Sequence, residues 1–186
     1  MRTLLSPPFL LCAVVALASL ANTFAPPHSS PTTTTHHAVR STTTSQLAAA
    51  KPGVVITGAA GGVGFAYAGE FLERGYDVVI CDVKDCTAAA QALVKRGGSG
   101  NIYHTTCDVS KAADVEKLGG FAKTKLETIG YWINNAGING GRRDLRDVPV
   151  SQVEAVVKVN LLGILLCTKV ASKLDALSWV VFFVSF

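Results

Sequence analysis

Between an apolar run and a helical pattern the chain carries Thr57-Gly58-Ala59-Ala60-Gly61-Gly62-Val63-Gly64. Glycines lack a Cβ, so such a bend turns tightly and lets backbone amides close on a phosphate. A helix starting near Val63 would point its free N–H groups, and about half a positive charge, at that anion. The chemistry this predicts is the grip of a dinucleotide's pyrophosphate. Asp82 ends the next apolar run. There a carboxylate either accepts both hydroxyls of an adenosine ribose or serves as a solvated strand-end cap. A ribose 2′-phosphate would meet that anion, and unit charges 4 Å apart repel by roughly 4 kcal/mol at an effective dielectric of 20. NAD is therefore expected over NADP, with Lys84 as the nearby group able to offset the repulsion.

The elements that must position these residues follow from periodicity. Short Val/Ile-rich runs predict strands at Val54-Thr57, Asp77-Asp82, Ile102-Thr106 and Tyr131-Asn134, with a fifth at Trp179-Ser185. Helices are predicted at about Val63-Arg74, Thr87-Arg96, Ala112-Ile129 and Ser151-Ala176. The third shows Val115, Leu118, Ala122, Leu126 and Ile129 at steps of three and four, one face for a sheet. The fourth opens on Ser151-Gln152-Val153-Glu154, the pattern of a capping box. Alternating strands and helices make this an α/β chain with a Rossmann-type, doubly wound parallel sheet, expected as an incomplete one of four to five strands without its far strands.

Further residues stand in order along this frame: Cys107-Asp108-Val109 after the third strand, Asn134-Asn135-Ala136-Gly137 after the fourth, and Asn160 inside the fourth helix. Together with Thr57-Gly58-x-x-x-Gly62-x-Gly64 they resemble the short-chain dehydrogenase/reductase family. That resemblance implies an oxidoreductase using NAD or NADP on a small carbonyl substrate. Thr57, Gly58, Gly62, Val63 and Gly64 would be its cofactor loop and Asp82 its ribose partner. It implies Asp108, with Val109, at the adenine amino group, and Asn135, Ala136 and Gly137 steadying the central sheet beside the cofactor. Asn160 lies in register with the apolar Val153, Val156 and Ile164, where an unpaired amide costs roughly 1–3 kcal/mol. A bond to neighbouring backbone satisfies it on one reading; the resemblance implies instead the family's active-site Asn, which holds a water in a proton relay.

A narrower similarity runs through Asp108-Val109-Ser110-Lys111, Asp114-Val115-Glu116-Lys117-Leu118, the stretch from Trp132 to Arg143, and the stretch from Val159 to Thr168. These strings resemble the chlorophyll b reductase branch of the family, plastid enzymes that reduce the 7-formyl group of chlorophyll or chlorophyllide b. The 3-oxoacyl carrier-protein reductases share the glycine loop and Asn-Asn-Ala-Gly but match the Trp132 and Asn139 strings less well. Arg142 and Arg143 would meet a propionate or ester carbonyl, or stand as a solvated charge pair.

The family's general acid is a Tyr with a Lys four residues on. Here Tyr67, Tyr76, Tyr103 and Tyr131 are followed at that distance by Phe71, Ile80, Cys107 and Asn135. Ser185 falls near where the family's catalytic Ser would stand. The expectation is a domain truncated before the Tyr-Lys segment and inactive as written. Alternatively, it is a non-catalytic nucleotide-binding protein that pairs with a related reductase through its fourth helix. Homo- or hetero-oligomers are expected, and thylakoid association is implied only by the family.

Among 186 residues, 49% are hydrophobic and 16% charged, which excludes a wholly disordered chain. No acid precedes Glu70; without Arg2 and Arg40 the remaining 15 basic residues face 13 acidic ones. That near-balance excludes a nucleic-acid footprint. Five cysteines form no C-x-x-C pair, so no metal site is expected and they read as small buried hydrophobes. Residues 1–23 read as a signal peptide and residues 24–50, with eleven Ser or Thr and no acid, as a transit peptide or linker. Plastid import is expected, with the Rossmann domain over residues 51–186.

Overall fold

The computed structural model describes residues 51–139, 141, 144–174 and 179–182. The signal and transit segments, Arg142, Arg143 and Ser185 lie outside them. Five strands form one parallel sheet: β1 (Gly53–Thr57), β2 (Val78–Asp82), β3 (Ile102–Thr106), β4 (Ile129–Asn134) and β5 (Trp179–Phe182), in the order β3-β2-β1-β4-β5. Val54, Val55 and Ile56 of β1 and Val78, Val79 and Ile80 of β2 have no exposure at all. Such runs are apolar on both faces because helices cover both sides of a parallel sheet. The register, Val54 on Val78 and Val55 on Trp132, brings the C-terminal ends of β1, β2 and β4 to one edge.

The helices are α1 (Gly62–Glu73), α2 (Thr87–Arg96), α3 (Ala112–Lys125), and a long fourth helix made of α4 (Val150–Val157), a wider π-helical segment (Lys158–Gly163) and α5 (Ile164–Ala171). A core of Val55, Val79, Cys81, Cys107, Val115, Leu118, Trp132, Cys167 and Val170 fills one side of the sheet, beneath α3 and α5. On the other side α1 packs on β1 and β2 through Ala68 and Leu72.

Three expectations are corrected. The third helix does not reach Ile129: Leu126 is extended (φ −112°, ψ 130°), and Ile129 opens β4. Their apolar spacing persisted because both are buried for other reasons, Leu126 against Gly53, where an added Cβ would lie 2.7 Å from its Cδ1, and Ile129 beside that same glycine in the sheet. The capping box does not form, because Pro149 takes the cap position with its fixed φ (−57°) and starts the helix at Val150. Ser151 thereby becomes a helical residue, and Glu154 pairs with Lys158 at 3.8 Å. The fourth helix ends at Ala171, with a tighter turn to Leu174; position 176 and the end of the fifth predicted strand lie outside the described residues. Four cysteines, Cys81, Cys86, Cys107 and Cys167, are free and buried, as read from the sequence.

Candidate functional site

The chain reverses winding direction between β1 and β4, neighbours in the sheet that each end at the same edge. Loops leaving the two strands diverge there, which opens a crevice. Thr57 closes β1 and is 1% exposed. Its hydroxyl donates to the Ile133 carbonyl (3.4 Å) and accepts from the amides of Asn135 (3.1 Å) and Ala136 (3.0 Å). Asn135 answers across the crevice floor, its Nδ2 donating to the carbonyls of Thr57 (3.0 Å) and Gly58 (2.9 Å). The glycine bend and the Asn-Asn-Ala-Gly turn are thus stitched together by one hydroxyl and one amide.

Two glycines explain how closely the bend packs. Gly58 has φ +66°, and a Cβ on it would lie 2.6 Å from the Ala136 Cα; a Cβ on Gly64 would lie 2.5 Å from Asn135 Nδ2. Gly61 and Gly62 differ, having nothing within 4 Å of an added Cβ. They bound open space at the start of α1, where Gly61 is the cap residue and no side chain caps the helix. The first amides of a helix have no partner within it, so this end offers donors and a positive dipole to an anion. A cradle with bare backbone and free space fits a pyrophosphate. Val63 stands beside it, 43% exposed.

Asp82 follows at the end of β2. Its Oδ2 accepts from the Ala60 amide (3.1 Å) and its Oδ1 from the Lys84 amide (3.1 Å), so this carboxylate shapes the glycine loop and keeps lone pairs free on both oxygens. Asp108 sits two residues beyond β3. The Ser110 hydroxyl (2.7 Å), then Lys111 (3.1 Å) and the Ser110 amide (3.0 Å), hold its carboxyl below the usual carboxylate range. Val109 turns inward, 6% exposed, against Gly163: a Cβ there would lie 2.8 Å from Val109 Cγ2.

Asn160 lies inside the π-helical segment. Its Oδ1 accepts from the Ile138 amide (2.9 Å) and its Nδ2 donates to the Ile138 carbonyl (2.8 Å). The side chain is therefore bound to backbone, and it clamps the loop after Gly137 onto the helix. Gly137 lies beneath that clamp, with the site of a Cβ 3.6 Å from Asn160 Oδ1.

Three features escaped the sequence reading. The Ala60 amide ties the bend to Asp82, a backbone contact with no side-chain signature. Asn134 Oδ1 accepts from Trp132 Nε1 (3.2 Å) while its buried Nδ2 has no partner among the described residues. The π-helical widening at Lys158–Gly163 is invisible to a 3.6-residue period. Among the described residues no cluster of His, Cys, Asp or Glu is arranged to hold a metal.

Comparison with known proteins places this geometry. A family model described as short chain dehydrogenase matches residues 52–178. The chain is 37% identical over 121 residues to chlorophyll(ide) b reductase NOL, chloroplastic, of Arabidopsis thaliana, covering 63% of this chain and 34% of that protein. It is 38% identical over 135 residues to probable chlorophyll(ide) b reductase NYC1, chloroplastic, of Oryza sativa subsp. japonica, covering 63% and 27%. The alcohol dehydrogenase from the archaeon Thermococcus sibiricus, complexed with 5-hydroxy-NADP, superposes with a TM-score of 0.59 at 26% identity, covering 64% of this chain and 51% of that one. The chain spans 34% and 27% of the length of these two plant reductases.

Proposed function

Because the chain belongs to the short chain dehydrogenase family, we propose that the crevice between β1 and β4 holds its nicotinamide coenzyme and serves the reduction of a formyl group on a chlorophyll b-type pigment. One observation carries the reading: a bare glycine bend at the start of α1, latched by Thr57 and Asn135 to the turn after β4. The amides of Gly62, Val63 and Gly64 face the pyrophosphate, Asp82 the ribose hydroxyls and Asp108 the adenine amino group. Asn135, Ala136 and Gly137 form the floor. The bound coenzyme supplies the hydride. The pigment as substrate is supported by the identity to the two plant reductases and by the strings around Trp132 and Asn160.

Thr57 and Asn135 preorganise the floor, so the donors stand ready before the coenzyme arrives. Asp82 disfavours a second phosphate on the ribose. Asn160 holds Ile138, and with it the loop that borders the substrate side. No Tyr in the 186 residues has a Lys four positions on. We assign these 186 residues the binding of coenzyme and pigment. Competing titrations of the full chain test the coenzyme assignment: NADH is expected to bind more tightly than NADPH, and the reverse order overturns the role of Asp82. Turnover of a 3-oxoacyl thioester in preference to a formyl pigment would favour the carrier-protein reductase reading instead.

A second reading concerns assembly. Val150, Val153, Val157, Leu161 and Leu165 form a ladder at steps of three and four along α4, the π-helical segment and α5, each between 39% and 73% exposed, with Leu162 beside it. The opposite side of the same helix, Cys167, Val170 and Ala171, is buried against the core. We propose that a second copy or a related reductase covers the ladder. Residues 1–50 are proposed to direct the protein to the plastid, in line with the chloroplastic relatives.

A further inference from the structure

Three thiols share the core beside the crevice without belonging to it: Cys81, Cys107 and Cys167, each at most 2% exposed. Cys167 belongs to α5, and burial pushes its thiol up to about 12. Cys81 and Cys107 form a pair apart. Cys81 is in register with Thr105, so Cys107, two residues farther along the adjacent strand direction, projects from the same face of the sheet at a diagonal position. Both lie in one buried cluster, and their mutual influence lowers the Cys107 thiol from its ordinary range and raises Cys81. Each cysteine is followed directly by a crevice carboxylate, Asp82 and Asp108, and the Cys107 amide donates to the Asp82 carbonyl at 2.8 Å.

With parallel strands about 4.8 Å apart and a rise of about 3.3 Å per residue, diagonal neighbours stand about 8 Å apart at Cα, whereas a disulfide closes only within about 7 Å. Joining these sulfurs therefore requires the end of one strand to shift. β3 is the strand free to do so: it lies at the sheet edge, bonded only to β2, and none of its five residues is fully buried. The shift would carry Asp108 with it and pull on the backbone of Asp82.

We propose that Cys81 and Cys107 form a peroxide-driven disulfide switch whose closure displaces Asp82 and Asp108 and weakens coenzyme binding; the last step rests on the coenzyme reading above. The Cys107 thiolate attacks one oxygen of hydrogen peroxide, the O–O bond breaks, and a sulfenic acid forms with release of hydroxide. The Cys81 thiol then attacks that sulfur, the S–O bond breaks, and water leaves as the disulfide forms. In sum two thiols are oxidised and one peroxide is reduced to two waters. Because the bond needs a displaced strand it is strained, and strained disulfides are the readily reduced ones. By linkage, coenzyme that holds Asp82 and Asp108 in place must disfavour the closure that displaces them.

The test exposes the reduced full-length chain to hydrogen peroxide, with and without NADH, followed by non-reducing peptide mapping and by coenzyme titration. A Cys81–Cys107 crosslinked peptide is expected, in lower yield with NADH present. NADH affinity is expected to fall at least tenfold and to return after dithiothreitol. Cys107→Ala, or Cys107→Ser should the first variant fail to fold, is expected to keep its NADH affinity through peroxide. Two thiols that stay alkylatable, a crosslink to Cys167 instead, or a Cys81–Cys107 crosslink with unchanged affinity would each overturn the switch. A reduced chain that binds neither coenzyme overturns the coenzyme reading and the switch together, whereas the peptide map alone decides whether the bond forms.

Discussion

Thr57 accepts from two backbone amides, those of Asn135 and Ala136, the first of which also reaches the Ile133 carbonyl at 3.1 Å. Thr57→Val keeps the shape and removes the acceptor, leaving the Ala136 amide unpaired at roughly 1–3 kcal/mol. Denaturant unfolding is expected to show a loss of roughly 1–3 kcal/mol with weakened coenzyme binding, and Thr57→Ser is expected to restore most of both; an unchanged Thr57→Val would show that the latch carries no load. Asp108 makes a pH statement. Its folded pKa is lowered by the Ser110 hydroxyl first and by Lys111 next. A lowered carboxyl contributes stability above its unfolded value of about 3.9, and that contribution is lost as pH falls through the folded value. The stability gap between the parent and Asp108→Asn is expected to be constant from neutral pH to about pH 5 and to shrink below it. A gap that persists at pH 2 would contradict the ionic origin. These residues were legible in the sequence because their types are rare at such spacings. Their partners were not, since Thr57 acts on amides 78 and 79 positions away.

At the scale of the element, the glycine bend, the first three helices and the parallel strands followed from local pattern, because β-branched runs and three-four spacing report burial directly. Pattern failed where two causes of burial overlap. Leu126 and Ile129 continue the spacing of α3 but are buried by a loop and a strand, so the helix was read four residues too long. It failed again at α4, where the apolar ladder faces outward; periodicity finds a stripe and cannot say which side the sheet takes. The ladder leads to an expected outcome of its own. Val157→Glu, alone or with Leu161→Glu, places charge on the exposed stripe and away from the buried side of the helix. Light scattering of the full chain is expected to drop to the monomer mass, with unfolding stability within about 1 kcal/mol of the parent monomer. A mass unaffected by these substitutions would remove the ladder as an interface, and vesicle binding lost with them would assign it to lipid instead. The helix from Val150 to Ala171 is long and apolar enough to cross a membrane by composition, yet its last turns pack on α3, where a Cβ on Gly119 would lie 2.5 Å from Val170 Cγ1.

For the molecule as a whole, the reversal of winding between β1 and β4 matters more than any single side chain. It brings Gly58 against Ala136, Asn135 against Gly64, and Asn160 against Ile138, contacts separated by 22 to 78 positions in the chain. The order β3-β2-β1-β4-β5 was foreseeable from the strand-helix alternation together with the family resemblance, since right-handed crossovers leave few alternatives. What chain order withheld was the depth of the crevice, which depends on how closely backbone meets backbone. A ligand bound only by the folded state stabilises it by about 2.7 kcal/mol at a hundredfold excess over Kd. Isothermal titration of the full-length chain with NADH and NADPH therefore tests the coenzyme site most directly. A saturable one-site heat is expected, larger in affinity for NADH and abolished by Gly64→Leu in a variant that still melts cooperatively. Heats of dilution alone for both coenzymes, from a chain whose melting proves it folded, would contradict it.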